Sequence, residues 1–245
     1  MSFRTALHVA AIALFLPGAA TCCFADVHST FDDSADGWRI ADLATGDSYI
    51  QVLGYYDPNW HATGGDPDGY ISRLDPSSNT IFFEAPDKFL GDQTAAYGRN
   101  LHFSLQTDYT DYDEEPFLLL ISGDQVLLHE FTMPGTDWTR YSVLLDETSF
   151  YDHATGLPVS SDDFLAILGD LEALRISAEY GMGLIETTSL DRVRLERGGC
   201  VGDLDGDGDT DQADLGILLA AYGLTADGDL NADGTTDQSD LGILL

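Results

Sequence analysis

The sequence predicts a mainly β protein, a β-sandwich followed by a small helical tail, and three observations support this. Between Val27 and Arg197, short apolar segments are separated by Gly, Asp, Pro and Asn, a pattern typical of short strands joined by turns. Only one segment of this region, Ser161–Leu174, has apolar residues at helical spacing. After Cys200, an aspartate-rich loop occurs twice, and each copy leads into the same helix-like segment.

The start of the chain predicts a secretory signal peptide at residues 1–25. Arg4 supplies the positive charge, and Ala6–Leu16 is an apolar stretch too short to remain as a membrane anchor. Ala25 is a small residue suited to cleavage after it. The alternative is a lipidated cysteine at Cys22 or Cys23. We therefore expect a secreted, extracellular protein, with attachment to the cell surface as an open alternative.

The charge balance excludes whole classes of partner. The 245-residue chain carries 43 acidic and 10 basic side chains, a net charge of −33. Nucleic acids and anionic membranes require a basic face, so we expect neither as a partner, whereas multivalent cations fit this charge. We expect no transmembrane segment, because no second apolar run is long enough to cross a bilayer. Cys200 alone remains after cleavage, so we expect no internal disulfide.

Short apolar segments predict individual strands within a domain at residues 26–197, and those that begin at Leu101 and Tyr141 alternate apolar and polar residues. The sequence Ser-Gly-Asp-Gln from Ser122 lies between two apolar runs and predicts a hairpin turn. Gly198 and Gly199 indicate a linker at residues 198–201. The predicted strands are Leu101–Gln106, Phe117–Ile121, Val126–Phe131, Tyr141–Leu145, Arg175–Tyr180 and Leu190–Leu195.

The one predicted helix of this domain is Ser161–Leu174, with Ser160 or Ser161 as its N-cap. Its apolar residues repeat at helical spacing, which indicates a face packed on the sandwich. They are Phe164, Leu165, Ile167, Leu168, Leu171 and Leu174.

The tail at residues 202–245 contains two twelve-residue loops, Asp203–Asp214 (loop one) and Asp229–Asp240 (loop two). A calcium loop needs oxygen ligands at positions 1, 3, 5, 7, 9 and 12 and a glycine at position 6. Gly208 and Gly234 occupy position 6. The ligand positions are filled by Asp203, Asp205, Asp207, Asp209, Asp211 and Asp214 in loop one, and by Asp229, Asn231, Asp233, Thr235, Asp237 and Asp240 in loop two. The tail is therefore predicted to bind two Ca²⁺ ions.

The tail has two alternative interpretations: an acidic disordered segment and a thrombospondin-type calcium repeat. A random acidic run would not repeat glycine at position 6 and leucine after position 12. The apolar stripe of Leu215, Leu218, Leu219 and Tyr222 has helical spacing and argues against the thrombospondin-type repeat.

The duplicated loops, each with Asp at position 12 followed by Leu and an apolar helix, resemble a type I dockerin module over Gly202–Leu245. The resemblance implies a small α-helical, EF-hand-like module that binds two Ca²⁺ ions and docks onto a cohesin-like protein module. Gln212-Ala213 and Gln238-Ser239 occupy the positions that read the partner. The second helix is predicted to be short, since Leu245 follows soon after Asp240. A calcium clamp without a partner is the alternative.

The preceding domain resembles the laminin IV (laminin B) domain. The resemblance rests on Gly69-Tyr70-Ile71-Ser72, on Leu190-Asp191-Arg192-Val193 and above all on the run Ala85-Pro-Asp-Lys-Phe-Leu-Gly-Asp92. It spans nearly all of Phe31–Leu195. It implies a jelly-roll β-sandwich similar to carbohydrate-binding modules, and an extracellular protein that is not an enzyme.

Two further sites are predicted in the sandwich. A structural Ca²⁺ is expected where the first and last strands meet, with carboxylates from Asp32 or Asp33 and from Asp191; the alternative is that these are surface or turn residues. Tyr56 and Trp60, in an aromatic segment, form a candidate sugar platform. The alternative is that this segment is a loop whose aromatic side chains fill the end of the sandwich.

No catalytic residues are predicted. His129-Glu130 begins a zinc-protease pattern, but Met133 stands where the second histidine is required. We therefore expect a secreted, calcium-binding, non-catalytic extracellular or cell-surface protein for binding or adhesion, attached through its tail, with an extracellular glycan or matrix component as partner. The alternative is a carbohydrate-binding or glycoside-hydrolysing component of a polysaccharide-degrading assembly.

Overall fold

A computed structural model of the chain describes residues 25–44, 49–75, 79–108, 116–180, 186–198, 202–205, 210–231 and 233–244. The predicted signal peptide up to residue 24, with Cys22 and Cys23, lies outside the described residues, and so do Asp207, Gly208 and Asp209. The chain divides into two compact units. Phe24–Gly199 forms the larger one, and Cys200–Leu245 belongs to the other.

The larger unit is a β-sandwich, which confirms the mainly β part of the predicted fold class. One helix, α1, and two short 3-10 turns interrupt its strands. The elements are β1 (Val27–Ser29), β2 (Arg39–Leu43), β3 (Val52–Tyr56), β4 (Asn59–Gly65), β5 (Asp68–Leu74), β6 (Thr80–Glu84), β7 (Asn100–Thr107), β8 (Phe117–Ser122), β9 (Gln125–Glu130), β10 (Thr139–Leu144), β11 (Tyr151–Asp152), β12 (Leu157–Pro158), α1 (Ser161–Gly169), β13 (Ala173–Ser177) and β14 (Thr187–Leu195).

Two antiparallel sheets make up the sandwich. The six-stranded sheet has the order β10-β7-β14-β5-β4, with β1 also paired to β14. The eight-stranded sheet has the order β12-β11-β9-β8-β13-β6-β2-β3. Consecutive strands such as β5 and β6, or β6 and β7, lie in different sheets, so the chain crosses repeatedly between the two layers.

The core lies between the sheets and is built mainly from aromatic and branched side chains. Trp38 packs edge-on against Phe89 with ring centroids 5.6 Å apart, and its indole N–H donates to the Ser29 hydroxyl. A second apolar cluster includes Phe82, Leu119 and Leu128, and it buries the other side of the eight-stranded sheet. This explains why β8 is a continuous apolar run instead of an alternating one.

The predicted hairpin turn is confirmed. β8 and β9 pair in register as far as Ser122 and Gln125, and Gly123 has φ +55°. A positive φ at this position is what a two-residue hairpin turn requires, and glycine adopts it without steric cost.

The predicted helix extends too far. The Ser160 hydroxyl accepts from the Asp163 N–H and caps α1, but the helix ends at Gly169. Leu171 then exchanges two backbone hydrogen bonds with Gly91, and β13 begins at Ala173 instead of the predicted Arg175. Leu171 and Leu174 are buried as the pattern required, because an extended segment crossing the core buries apolar residues as well as a helix does.

None of the helices among the described residues is long and apolar enough to cross a membrane.

The backbone of Gly69 lies so close to the backbone of Phe31 that there is no space for a side chain at this position. A Cβ built there would lie 2.0 Å from the Phe31 carbonyl oxygen. We therefore expect Gly69→Ala to lower the free energy of unfolding of this unit by about 3 kcal/mol, because backbone must move. Denaturant unfolding followed by tryptophan fluorescence measures this. Gly135→Ala, whose Cβ would meet nothing closer than 3.7 Å, is the matched control. Equal stability of the two variants would contradict the packing described.

Candidate functional site

Each of the two tail loops runs into a helix: α2 (Gln212–Ala221) after loop one and α3 (Gln238–Leu244) after loop two. The residue at position 9 of each loop supports the first turn of its helix. Asp211 caps α2 by accepting the Ala213 N–H, and Asp237 accepts the Ser239 N–H at 2.7 Å. The helix opening therefore fixes the end of the loop, where the ligand at position 12 lies.

Three carboxylates of loop one converge. One oxygen from each of Asp203, Asp205 and Asp214, at positions 1, 3 and 12, lies within 4.8 Å of the others. Among the residues that the structure describes, no other group of three or more Asp, Glu, His or Cys side chains comes together in this way. Hard carboxylate oxygens at this spacing are the ligands that Ca²⁺ prefers.

The carboxylate at position 12 is buried in both loops and makes the same three contacts. It accepts the backbone N–H groups of positions 2, 3 and 9, and so ties the first part of the loop to the helix. Asp214 accepts from Leu204 (2.7 Å), Asp205 (3.1 Å) and Asp211 (2.7 Å), and Asp240 accepts from Leu230 (2.8 Å), Asn231 (3.1 Å) and Asp237 (2.8 Å).

These hydrogen bonds keep both carboxylates ionised. The Asp211 N–H, with the N–H groups of Leu204 and Asp205, lowers the pKa of Asp214 below its ordinary value. The Asp237 N–H acts in the same way on the pKa of Asp240. A charged, oriented carboxylate is the state in which a metal ligand acts.

The first half of loop two is folded around its own side chains. Asp229 accepts the N–H groups of Asp233 and Gly234 at 3.1 and 2.7 Å. The Asn231 side-chain oxygen also accepts from the Asp233 N–H, and Asp233 accepts from the N–H and hydroxyl of Thr235. Gly234 has φ +92°, which explains the glycine at position 6.

The two repeats pack against each other in an approximately symmetric way. The glycine before each loop lies against the threonine at position 8 of its own loop and against a leucine in the helix of the other repeat. A Cβ at Gly202 would lie 3.0 Å from Thr210 and 3.6 Å from Leu244; at Gly228 it would lie 2.9 Å from Thr236 and 3.0 Å from Leu218. The tail is therefore a paired structure and not two separate loops.

The apolar stripe predicted on α2 is only partly buried. Leu218 and Ala221 are buried, but Leu219 is 54% exposed and Tyr222 lies at the end of the helix, also exposed. Leu219, Tyr222, Leu224 and Ile243 are exposed on the surface of the tail.

Asp191 and Asp32, predicted as calcium ligands of the sandwich, differ in environment. Asp191 is fully buried at a bulge of β14, and its two oxygens accept the N–H groups of Asp66 and Arg192. Burial raises the pKa of Asp191 to about 6. Asp32 is exposed and accepts the Thr30 hydroxyl at 2.7 Å. Calcium binding here stays a prediction, and Asp191 already serves a second purpose, holding the β4–β5 turn onto β14.

The aromatic segment is not a loop. Tyr56 ends β3, the edge of the eight-stranded sheet, whereas Trp60 lies in β4, the edge of the six-stranded sheet. Both rings are exposed. The Arg73 guanidinium lies 5.0 Å from the centre of the Tyr56 ring, and the Trp60 indole donates to the Phe31 carbonyl at 2.6 Å. Sugar binding by this pair stays a prediction.

Sequence reasoning missed an arginine-rich cleft on the six-stranded sheet. It is lined by side chains from β1, β7, β10 and β14, among them Arg140, Arg192 and Arg194. These arginines are separated in the chain and come together only through strand pairing, so no local sequence pattern predicts the cleft. The one signal in the sequence is the small number of basic residues.

Comparison with known proteins shows which family this chain resembles. Residues 82–207 match the Laminin B (Domain IV) family. Laminin subunit gamma-1 of Xenopus tropicalis is 29% identical over 190 residues, which cover 69% of this chain and 11% of that protein. Laminin subunit gamma-2 of Homo sapiens is 28% identical over 174 residues, covering 67% of this chain and 13% of that protein. The chain thus spans about a tenth of the length of the curated relatives it matches.

A solved structure supports the fold. The L4b domain of human laminin alpha-2 superimposes with a TM-score of 0.56 at 14% sequence identity, covering 71% of this chain and 98% of that domain. At this identity the likeness shows the β-sandwich alone.

The position 12 contacts predict the effect of neutralising one carboxylate. Asp214→Asn replaces an acceptor oxygen by a donor beside three N–H groups and removes a metal ligand, so we expect calcium affinity of loop one to fall about tenfold or more. Calorimetric titration of the full chain measures it. Asp227→Asn makes the same charge change at an exposed residue outside both loops and should leave the affinity unchanged. Equal effects of the two variants would show that only net charge matters.

Proposed function

This chain belongs to the laminin B (domain IV) family, and on that basis we propose that it is an extracellular, non-catalytic protein of binding or adhesion. In this proposal the sandwich contacts a matrix component and the tail binds two Ca²⁺ ions. Its curated relatives are laminin subunits and a basement membrane proteoglycan, which supports an extracellular setting. Because the chain spans only a small part of them, partner and setting are transferred here as a proposal.

The observation that carries calcium binding is the convergence of Asp203, Asp205 and Asp214 within 4.8 Å. Such carboxylates repel one another strongly, and this repulsion costs folding free energy unless a cation neutralises it. Bound Ca²⁺ would be held by these residues and by the remaining oxygen ligands of the loop. Calcium would therefore stabilise the folded tail, because the ion binds the folded state in preference to the unfolded one.

The two loops are expected to differ in affinity. Loop one has Asp205 at position 3, whereas loop two has the uncharged Asn231 there; position 7 supplies a backbone carbonyl in both loops. The number of charged ligands is one of the properties by which calcium loops tune affinity. Loop one should therefore fill first.

The exposed apolar side chains of the tail support a role in attachment. Leu219, Tyr222, Leu224 and Ile243 are four large apolar side chains exposed on a small unit, and exposed apolar surface suits a contact with a partner. Together with the dockerin resemblance, they support a cohesin-like module as the partner, with Gln212-Ala213 and Gln238-Ser239 exposed at the helix starts.

A second candidate function is carbohydrate binding within a polysaccharide-degrading assembly. The exposed rings of Tyr56 and Trp60 favour it, because aromatic faces are common sugar contacts. Their positions on the edges of different sheets weaken the case for one shared platform.

The calcium proposal predicts a change in secondary structure. Raising calcium from a chelated solution to about millimolar should increase the helical circular dichroism of the full chain, because the ligand at position 9 precedes each helix and the ligand at position 12 lies in its first turn. Calorimetry should give two ions for the tail, and a third only if the sandwich binds one. Unchanged circular dichroism together with no heat of binding would refute the calcium proposal.

The attachment proposal predicts calcium-dependent binding to a purified type I cohesin module. Leu219→Ser should weaken this binding about tenfold, because burial of a large apolar side chain is lost from the contact. Leu157→Ser, at an exposed leucine of the sandwich, is the matched control and should have no effect. A chain that binds calcium but no cohesin would limit the tail to the role of a calcium clamp.

A further inference from the structure

The cleft on the six-stranded sheet has a volume of about 450 Å³ and collects cationic side chains in a strongly acidic protein. Its lining includes three of the ten lysine and arginine residues, Arg140, Arg192 and Arg194, and two of the six histidines, His28 and His102. A volume of this size lies in the range of small-ligand sites.

Strand register places these groups in rows. His28 of β1 lies opposite Arg194 of β14, which lies opposite His102 of β7. Two residues further along β7 from His102, Ser104 pairs with Arg140 of β10. Because neighbouring strands lie about 4.8 Å apart, His28, Arg194 and His102 follow one another across three strands at regular spacing.

The arginines project beyond the carboxylates that hold them. Arg140 makes two hydrogen bonds to Asp66, at 2.7 and 2.6 Å, yet its side chain is 66% exposed against 16% for Asp66. Arg194 pairs with Asp26 at 2.6 Å and with Glu196 at 3.5 Å, and its side chain is 46% exposed against 24% for Asp26 and 25% for Glu196. Glu196 also lies 2.9 Å from the His102 ring nitrogen, so Arg194 and His102 are balanced by carboxylates of their own. The carboxylates thus form the base and the guanidinium groups the outer surface. Each guanidinium has five N–H donors, so Arg140 keeps three for a ligand.

Arg192 is the least constrained of the three. Its guanidinium lies 4.0 Å from Asp66, too far for a hydrogen bond, and its side chain is 46% exposed. Its backbone has φ +53°, a left-handed conformation that is uncommon for a long side chain and costs free energy. The buried Asp191 carboxylate holds this conformation by accepting the Arg192 N–H at 2.6 Å. Strain of this kind is maintained only where surrounding structure imposes it, and here it presents a cation to the cleft.

We propose that this cleft binds a sulfate or carboxylate group of an acidic glycan, with Arg192 as its anchor. Planar guanidinium groups bind such oxyanions through paired hydrogen bonds. The net charge of −33 repels dense polyanions such as nucleic acids, so a glycan with sparse anionic groups fits the protein better. This inference rests on the proposed binding function of the sandwich and specifies its ligand.

Three polymers with one backbone test the inference: dextran, dextran sulfate of low substitution and carboxymethyl-dextran. The full chain is titrated with each by calorimetry in chelator, at about physiological salt. We expect unsubstituted dextran not to bind and at least one charged form to bind. The two charged polymers distinguish a sulfate from a carboxylate as the recognised group. Single-stranded oligodeoxythymidine is titrated in parallel, and tighter binding of it would overturn the glycan assignment.

Variants locate the site. Arg192→Asn removes the cation with a residue that tolerates a positive φ, and should weaken binding about tenfold. Arg192→Gly, which accepts the conformation freely, should give the same loss, and Arg192→Lys should retain part of the affinity. Arg99→Asn makes the same change at an exposed arginine outside the cleft and should have no effect.

The inference is overturned if charged dextrans bind no better than dextran, or if Arg192→Asn and Arg99→Asn behave alike. Because chelator is present throughout, failure here leaves the calcium response of the tail untouched. That response is measured separately, so failure of this site and failure of the proposed function are distinguishable.

Discussion

A shortage of cationic side chains constrains this whole molecule. With 43 acidic and 10 basic residues, carboxylates outnumber cationic side chains by more than four to one. Burial of an unpaired carboxylate is costly unless hydrogen bonds stabilise its charge. The fold meets this requirement with backbone N–H groups: two for Asp191 in the sandwich, and three each for Asp214 and Asp240 in the tail.

The few arginines are used where backbone donors do not suffice. Glu84, buried in the eight-stranded sheet, accepts from both Arg39 and Arg175, and Arg175 itself is buried. On the other sheet Asp66 accepts from Arg140 and Ser104 while its own N–H donates to Asp191. The Arg140 guanidinium keeps the pKa of Asp66 below its ordinary value, so this network remains charged. Ion pairing with arginine therefore neutralises a buried carboxylate in the eight-stranded sheet. On the six-stranded sheet it holds an arginine at the surface.

Local patterns in the sequence were sufficient for features that depend on neighbouring residues. The hairpin at Gly123 and the alternating strand β7 follow from residues next to one another, and the position 12 carboxylates bind groups within their own loops. The pattern failed where two structures bury the same residues. Leu171 and Leu174 would be buried equally well in a helix or a strand, and only pairing with Gly91, β6 and β8 selects the extended conformation.

The cleft was beyond sequence reasoning because its parts come from four strands and one turn. Arg140 reaches Asp66 across a separation of 74 residues, and the β4–β5 turn is joined to β14 by the Asp66 N–H, which donates to Asp191, as well as by the pairing of β5 with β14. A Cβ at Gly65 would lie 2.5 Å from the Asp191 carboxylate, so a glycine is needed for this contact. One buried carboxylate thereby fixes both the turn that supports Arg140 and the strained backbone that presents Arg192. Conservative replacements at Gly65 and Asp191 should thus displace both Arg140 and Arg192, although neither Gly65 nor Asp191 carries a positive charge.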